Sequence, residues 1–454
     1  MASIARVRHA GKVDALAELD EHIVEQLCRE HAYHWRAGKL GPGRTVRCFA
    51  WQILMGNVPC DAVRHHGDGA FTASAYCQAR QRLPESLLAQ LSQRTAQAAL
   101  ARVGPPGKPG NKPRRQHEWR GHRVLRIDGS STALPDTPAL RRHFGCSGQQ
   151  KRGCGYPTAH LLLLTGPAGI GVQVICSPLR TGDMTHATRM HEHLRAGDVL
   201  LGDRLFGGWA HLHRLQDQQL HGIFPAHHSR RIAWGRHAEH GPNRRWIKSL
   251  GYRDQLVEYR KPEHRPLWMS KRQFAAAPQW VRVREIERQV KVGGVRRTVV
   301  VVTTLTDAKN YPPGDVVKLL GERWLIETQL RALKTTMGME RLRCQSVDEV
   351  RKELLMYLIV YNLVRLLMLA AAVRQQVNAV RLSFADALAT MRYGSGGGGA
   401  AIRRVALKIV PLRPGRVEPR VVKRRPKPFA KMSKPRAVLR HALQTRRRRA
   451  WRLA

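Results

Sequence analysis

Three acids stand where chemistry on a phosphate would need oxygen ligands. Glu327 lies within Arg323-Trp324-Leu325-Ile326-Glu327-Thr328-Gln329-Leu330-Arg331-Ala332-Leu333-Lys334. Leu, Ala, Gln, Glu, Arg and Lys dominate this stretch, and Pro312-Pro313 upstream supplies a start signal, so a helix is expected. Arg323, Glu327, Arg331 and Lys334 follow at spacings of four, four and three and would share one face of that helix. A carboxylate is thereby set between cations, with Leu330 and Leu333 free to turn toward a core. The same spacing also suits a solvated face of intrahelical ion pairs, worth about 0.2–0.5 kcal/mol each. Asp128 ends the apolar run Val124-Leu125-Arg126-Ile127, and Asp203 ends Val199-Leu200-Leu201-Gly202. Taken alone, Asp128 before Gly129-Ser130 could be a turn former. Asp203 could cap a helix or neutralise Arg204. Spacing alone does not bring the three acids together.

The background makes these acids conspicuous. The chain has 79 Lys and Arg against 33 Asp and Glu, a formal net charge of +46. A soluble protein this basic is expected to meet polyanions, with nucleic acid favoured over an anionic membrane. The length of 454 residues allows roughly two to four domains with sizeable cores. None of the eight cysteines forms a C-x-x-C pair, which argues against a zinc site or disulfide framework and for reduced cytoplasmic thiols. The opening Met-Ala-Ser-Ile-Ala-Arg has no apolar signal core. Leu354 to Val373 is long enough to span a bilayer, but Asn362 and Arg365 interrupt it and Glu353 and Arg374 flank it. A buried helix is the expectation, and no membrane partner.

The elements that must carry the acids can be laid out in order. Residues 1–103 are expected to form a helical, DNA-binding domain: Asp14 to Arg36, Val46 to Met55, and a region from Thr72 to Val103 with Thr72 as a cap and a second helix from Glu85. Gln78, Arg80 and Arg82 would suit a helix in a DNA groove or simple solvation. Gly104 to Pro113 reads as a linker. Strands are expected at Val124–Asp128, Leu161–Thr165 and Gly171–Ile175, the last two joined at Gly166-Pro167. A helix at Thr185–Arg195, a strand at Val199–Asp203, a helix at Gly208–Gln219 and a segment His221–Ala226 follow. Residues 227–297 hold four of the ten tryptophans (Trp234, Trp246, Trp268, Trp280) and read as a β-rich insertion, before a strand at Thr298–Thr304. Residues 346–392 are helical. Gly394 to Gly399 reads as a joint, and 401–454, with 19 Lys and Arg and one acid, as a disordered basic tail. His191, His193, His211 and His213 are weak metal candidates in a chain with 22 histidines. Gly153-Cys154-Gly155 reads as a turn.

Arg323, Glu327 and Lys334 match the R-(3)-E-(6)-K part of a Y-(2)-R-(3)-E-(6)-K motif. With Ile127-Asp128-Gly129-Ser130, Gly202-Asp203-Arg204-Leu205-Phe206 and Met337 to Arg343, the chain resembles the DDE transposases of bacterial insertion sequences, the insertion-sequence-four branch, over roughly residues 120 to 370. The motif's Tyr position is Leu320 here, a departure that touches handling of the DNA end and leaves the acids intact.

The resemblance implies an α/β fold: an RNase H-like catalytic core (120–226 and 298–345) interrupted by the β-rich insertion (227–297), with an N-terminal helical domain and C-terminal helices. It implies Asp128, Asp203 and Glu327 as catalytic metal ligands for Mg2+, with Mn2+ able to substitute. Two hard cations about 3.5–4 Å apart can activate an attacking oxygen and stabilise a leaving one. Arg323, Lys334, Arg331 and Arg204 would hold phosphates, and Trp280 or Trp268 an unpaired base. The implied partner is double-stranded DNA, transposon ends and target, bound by a homodimer. A structure-specific nuclease on the same fold and a domesticated, non-catalytic DNA-binding protein are the alternatives.

Overall fold

The computed structural model describes residues 19–66, 70–103, 118–146, 153–230, 232–292, 295–393, 406–411 and 434–451. The linker at 104–113, the glycine joint at 394–399 and residues 1–18 lie outside these. The chain opens with helices α1 (Glu21–Glu30), α2 (Pro42–Leu54), α3 (Cys60–His66), α4 (Ala73–Arg82) and α5 (Glu85–Ala101). The Asp20 carboxylate caps α1 by accepting from His22 N at 2.9 Å, so the helix occupies only part of the expected 14–36 span. Thr72 caps α4 through Ala75 N at 3.1 Å. Gln78 and Arg82 are exposed on α4, but Arg80 is buried. Its guanidinium donates to Gln52 Oε1 at 2.8 Å and lies 4.1 Å from the Phe49 ring centroid. Arg80 therefore ties helices together and is not free to read DNA.

A single sheet follows. Its strands are β1 (Glu118–Trp119), β2 (His122–Ala133), β3 (Thr158–Thr165), β4 (Gly171–Pro178), β5 (Val199–Leu201), β6 (His221–Pro225), β7 (Arg244–Gly251), β8 (Asp254–Arg260), β9 (Trp280–Val292) and β10 (Val295–Thr303). Between them run α6 (Pro138–Phe144), α7 (Asp183–Met190), α8 (Trp209–Asp217) and α9 (Lys271–Ala276). The order is β4-β3-β2-β5-β6-β10-β9-β8-β7, with β1 beside β2. β4, β3 and β2 are antiparallel neighbours, whereas β2, β5 and β6 are parallel. That half has the expected RNase H-like arrangement. The expected β-rich insertion joins the same sheet: β10 pairs with β6, and β9, β8 and β7 extend it. The boundary drawn at 297 cuts through β10, because one β-branched strand serves both parts.

Both faces of the central strands are covered, which is why they read as unbroken apolar runs. Leu162 and Leu164 join Leu125, Ile127, Phe206 and Leu212 on one face. Leu161 and Leu163 join Ile326, Leu330 and Leu358 on the other. Beyond β10 come α10 (Pro313–Gly321), α11 (Leu325–Arg331), α12 (Val347–Gln375) and α13 (Phe384–Tyr393). Leu320, at the motif's Tyr position, is buried with Val316, Val317 and Leu319 against β5 and β10.

The helix α12 is apolar and long enough to cross a membrane, but 94% of its most apolar window is buried in the protein. Its polar groups are matched inside. The Asn362 amide bonds Gly171 N at 2.9 Å and Gly171 O at 2.8 Å, and Glu353 accepts from Asn57 Nδ2 at 2.6 Å. The N-terminal helices thus share a core with the C-terminal ones. In the basic tail, Leu407 is buried, and a helix, α14 (Arg436–Trp451), occupies a stretch expected to be disordered. Basic helix formers without an intervening proline allow it. Its Arg440 reaches Asp136 at 3.5 Å. All eight cysteines are free.

Candidate active site

Register builds the site. β2 and β5 run parallel, and their last pair is Arg126 with Leu201. β2 does not end at Asp128 as expected but runs on to Ala133, paired with β3; the β2–β5 register, carried two residues past the end of β5, sets Asp203 beside Asp128 in mid-strand, where their charges interact. Past the end of β5, Gly202 leaves room for the Phe206 ring, from which a Cβ on it would stand 2.6 Å. Asp203 caps the short turn that follows, accepting from Leu205 N at 2.8 Å. Asp128 accepts from Gly129 N at 3.0 Å. The turn after Asp203 is buttressed from below. His211 donates from Nδ1 to the Phe206 carbonyl at 2.8 Å and meets His191 at 3.0 Å. Burial lowers these imidazoles to about 3 and about 4, so both are neutral supports at pH 7.

The third acid arrives on an irregular helix. A single regular helix was expected over 323–334. Instead, α10 tightens into a turn at Glu322–Trp324, α11 carries Glu327, and a wide turn covers Ala332–Thr336, closed by Met337 N on Ala332 O at 2.9 Å. Glu322 anchors the tight turn by accepting from Arg126 Nη2 at 2.8 Å. The wide turn, an i→i+5 register, brings Lys334 to β2, where Nζ donates to Ser130 Oγ at 2.9 Å and Ser131 O at 2.7 Å. Leu330 and Leu333 are buried as their spacing predicts. Arg323 donates to Glu327 Oε1 at 2.9 Å.

The electrostatics bind these groups into one cluster. Burial pushes the Asp128 carboxyl up; Arg323 opposes this, and the charges of Asp203 and Glu327 add to it. Asp203 is also raised, by burial first and by the neighbouring Asp183, with Arg323 and Arg204 opposing. Burial lowers the Lys334 ammonium. Asp128, Asp203 and Glu327 thus share the Arg323 guanidinium, with the charge of Asp183 acting on Asp203 as well. Among the described residues no three acidic, imidazole or thiol groups already converge on one ion-sized point. The donor set nonetheless fits a hard divalent cation: it is all oxygen, and its carboxylates share one guanidinium.

The other sequence candidates are dispersed. Arg204 is exposed and reaches His228 at 3.2 Å. Arg331 is exposed at the end of α11. Trp280 lies on β9 with Arg245 over its ring at 4.6 Å, remote in the sheet from the acids. Trp268 lines a cavity of about 810 Å3 with Leu205, Trp209, Arg230 and Tyr259, two residues from Asp203 through Leu205. Asp183 and His160 escaped the sequence reading. Their signal was the scarcity of acids, but the expected helix began at Thr185 and left Asp183 in a loop.

A family profile described as the transposase DDE domain matches residues 119–363, more than half of the chain. The chain belongs to the DDE transposase family. It is 28% identical over 395 residues to the transposase InsG for insertion sequence element IS4 of Escherichia coli strain K12, covering 79% of this chain and 78% of that one. The cryo-EM structure of the piggyBac transposase synaptic complex with hairpin DNA overlays with a TM-score of 0.40 at 10% identity, covering 86% of this chain and 79% of that one. As a member of the DDE transposase family, this transposase is an enzyme of DNA recombination. Transposases of its family use divalent metal ions, and its profile match contains all three candidate acids.

Proposed function

We propose that this transposase performs cut-and-paste transposition of an insertion sequence at Asp128, Asp203 and Glu327, with Mg2+ held by those carboxylates and Mn2+ able to replace it. The observation that supports this most is the register that sets Asp128 beside Asp203, with the Arg323–Glu327 pair against them. Bound cations would activate the attacking oxygen and neutralise the leaving one. The chain's own residues do the positioning. Arg323 offers a bidentate fork to a DNA phosphate. Lys334, fixed on Ser130 and Ser131, keeps the end of β2 in place and adds a point charge. Exposed Arg204 and Arg331 extend the phosphate track. Water attacks at the transposon end, the freed 3′ hydroxyl attacks the opposite strand to form a hairpin, the hairpin opens, and the end is joined to target DNA. Trp268, lining the cavity beyond Asp203, is better placed than Trp280 to stack on a base displaced from the end. The working form is a homodimer on double-stranded DNA, cytoplasmic and associated with the nucleoid.

The test is cleavage and joining on DNA carrying the element's ends, with Mg2+, comparing the parent chain with Glu327→Ala. Loss of both steps in the variant is expected. Activity that survives it would move the site elsewhere. Cutting without joining in the parent would make it a nuclease, and binding without chemistry in either protein a domesticated DNA-binding protein. Deleting 401–454 should flatten the salt dependence of DNA binding; an unchanged slope would remove the tail from the interface.

A further inference from the structure

The acid cluster has a second wall. Along β2, Asp128 and Ser130 face α11 and Lys334, while Gly129 and Ser131 face the other side, as strand alternation requires. His160 on β3 is the cross-strand partner of Ser131. Asp183 is the first residue of α7, and its Oδ1 is paired with His160 Nε2. The pair reaches the strand because Gly129 has no side chain: a Cβ there would stand 3.1 Å from both Asp183 Oδ2 and His160 Cε1. The Asp183 carboxylate thus meets the imidazole through Oδ1 and lies with both oxygens over the backbone next to Asp128, 3.1 and 3.4 Å from where a Gly129 Cβ would stand. Carboxylates that ligate metals are commonly oriented by an outer polar partner, and the His160 ring stands in that position. His186, one turn along α7, is 7% exposed and has no hydrogen-bond partner for either ring nitrogen, an unmet polar demand beside the same carboxylate. The charge of Asp183 also acts on Asp203.

We infer that Asp183, oriented by His160, is an accessory carboxylate of the acid site, facing the cation held by Asp203 from the opposite side of the sheet. This rests on the site proposed above. Gly129 is the residue that permits it, since any side chain there would displace the pair.

Mn2+ binding to the full chain without DNA, followed by electron paramagnetic resonance, tests it. Asp183→Asn is expected to weaken binding about tenfold or more, and His160→Gln several-fold, within the range for groups that orient ligands. Asp203→Asn serves as the reference. Binding unchanged in Asp183→Asn but weakened in Asp203→Asn overturns the inference and leaves the acid site standing. Binding unchanged in both overturns the site itself. A substitution that shifts metal preference separates ligation from folding: Asp183→Cys should bind Cd2+ more tightly than Asp183→Ser, because a thiolate favours soft ions. Equal Cd2+ binding by the two overturns the inference.

Discussion

The sheet treats carboxylates in opposite ways in its two halves. On β8 and β9, Asp254 and Glu285 are almost wholly buried, and each is matched to an arginine. Arg284 donates to Asp254 from Nε at 2.7 Å, while Glu285 takes Arg244 Nε at 3.1 Å, Tyr259 OH at 2.7 Å and Gln255 Nε2 at 3.0 Å. In mid-β2 and just past β5, Asp128 and Asp203 are partly open, each accepts one backbone N–H, and they share Arg323 with Glu327. Every charge in the first group has its partner within the protein, so nothing further is needed there. In the second, no acid has a buried arginine of its own and three lean on one guanidinium, which leaves carboxylate oxygens free for the cation proposed above. Charge balance, more than the presence of buried acids, distinguishes a structural network from a site.

Substitutions should therefore act with opposite sign in the two halves. Glu285→Ala leaves Arg244 buried without its anion and should cost about 3–5 kcal/mol, a large part of a typical domain stability. Urea unfolding measures it, and a loss below about 1 kcal/mol would dissolve the contrast. Asp128→Asn should lower DNA cleavage by about 10²–10³-fold, yet raise metal-free stability by about 0.5–2 kcal/mol, because a repelling charge is removed.

Acid sharpens the second effect. The folded state holds the protons of Asp128 and Asp203 more tightly than the unfolded chain does, since both are raised from 3.8. The cost of their charges is full above the folded values and fades as pH falls through them toward the ordinary carboxylate range. The stability gain of Asp128→Asn should shrink in that window. A gain that stays constant from about pH 7 to about pH 4 would mean that buried charge is not its source. The smallest change is expected at Lys334→Ala, about 1 kcal/mol for the lost bonds to Ser130 and Ser131, with weaker DNA binding read by filter retention.

Much of the frame was legible locally. The run before Asp203 announced a strand end, Thr72 a cap, Glu85 the start of α5, and Gly166-Pro167 the turn between β3 and β4, whereas the run before Asp128 marked a strand that continues to Ala133 through its pairing with β3. The interruption of α12 by Asn362 and Arg365 marked it as a core helix, and those polar groups are bonded to the β3–β4 turn region and to Tyr361. Arg80 misled because a solvated arginine and one buried against Phe49 and Gln52 look alike in a sequence. The sheet that the insertion's strands join was not legible, since strand patterning does not say which sheet a strand joins.

By itself the sequence determined the element types, the excess of positive charge and the motif that carries Arg323, Glu327 and Lys334. These follow from short-range propensity, hydrophobic period and residue identity, all readable within a window of a few residues. Tertiary structure alone decided the register that sets Asp128 beside Asp203, the wide turn that delivers Lys334 to β2, and the approach of His160 and Asp183 across Gly129. Each depends on pairing between segments tens to hundreds of residues apart, and packing selects that pairing only once both faces of the sheet are covered.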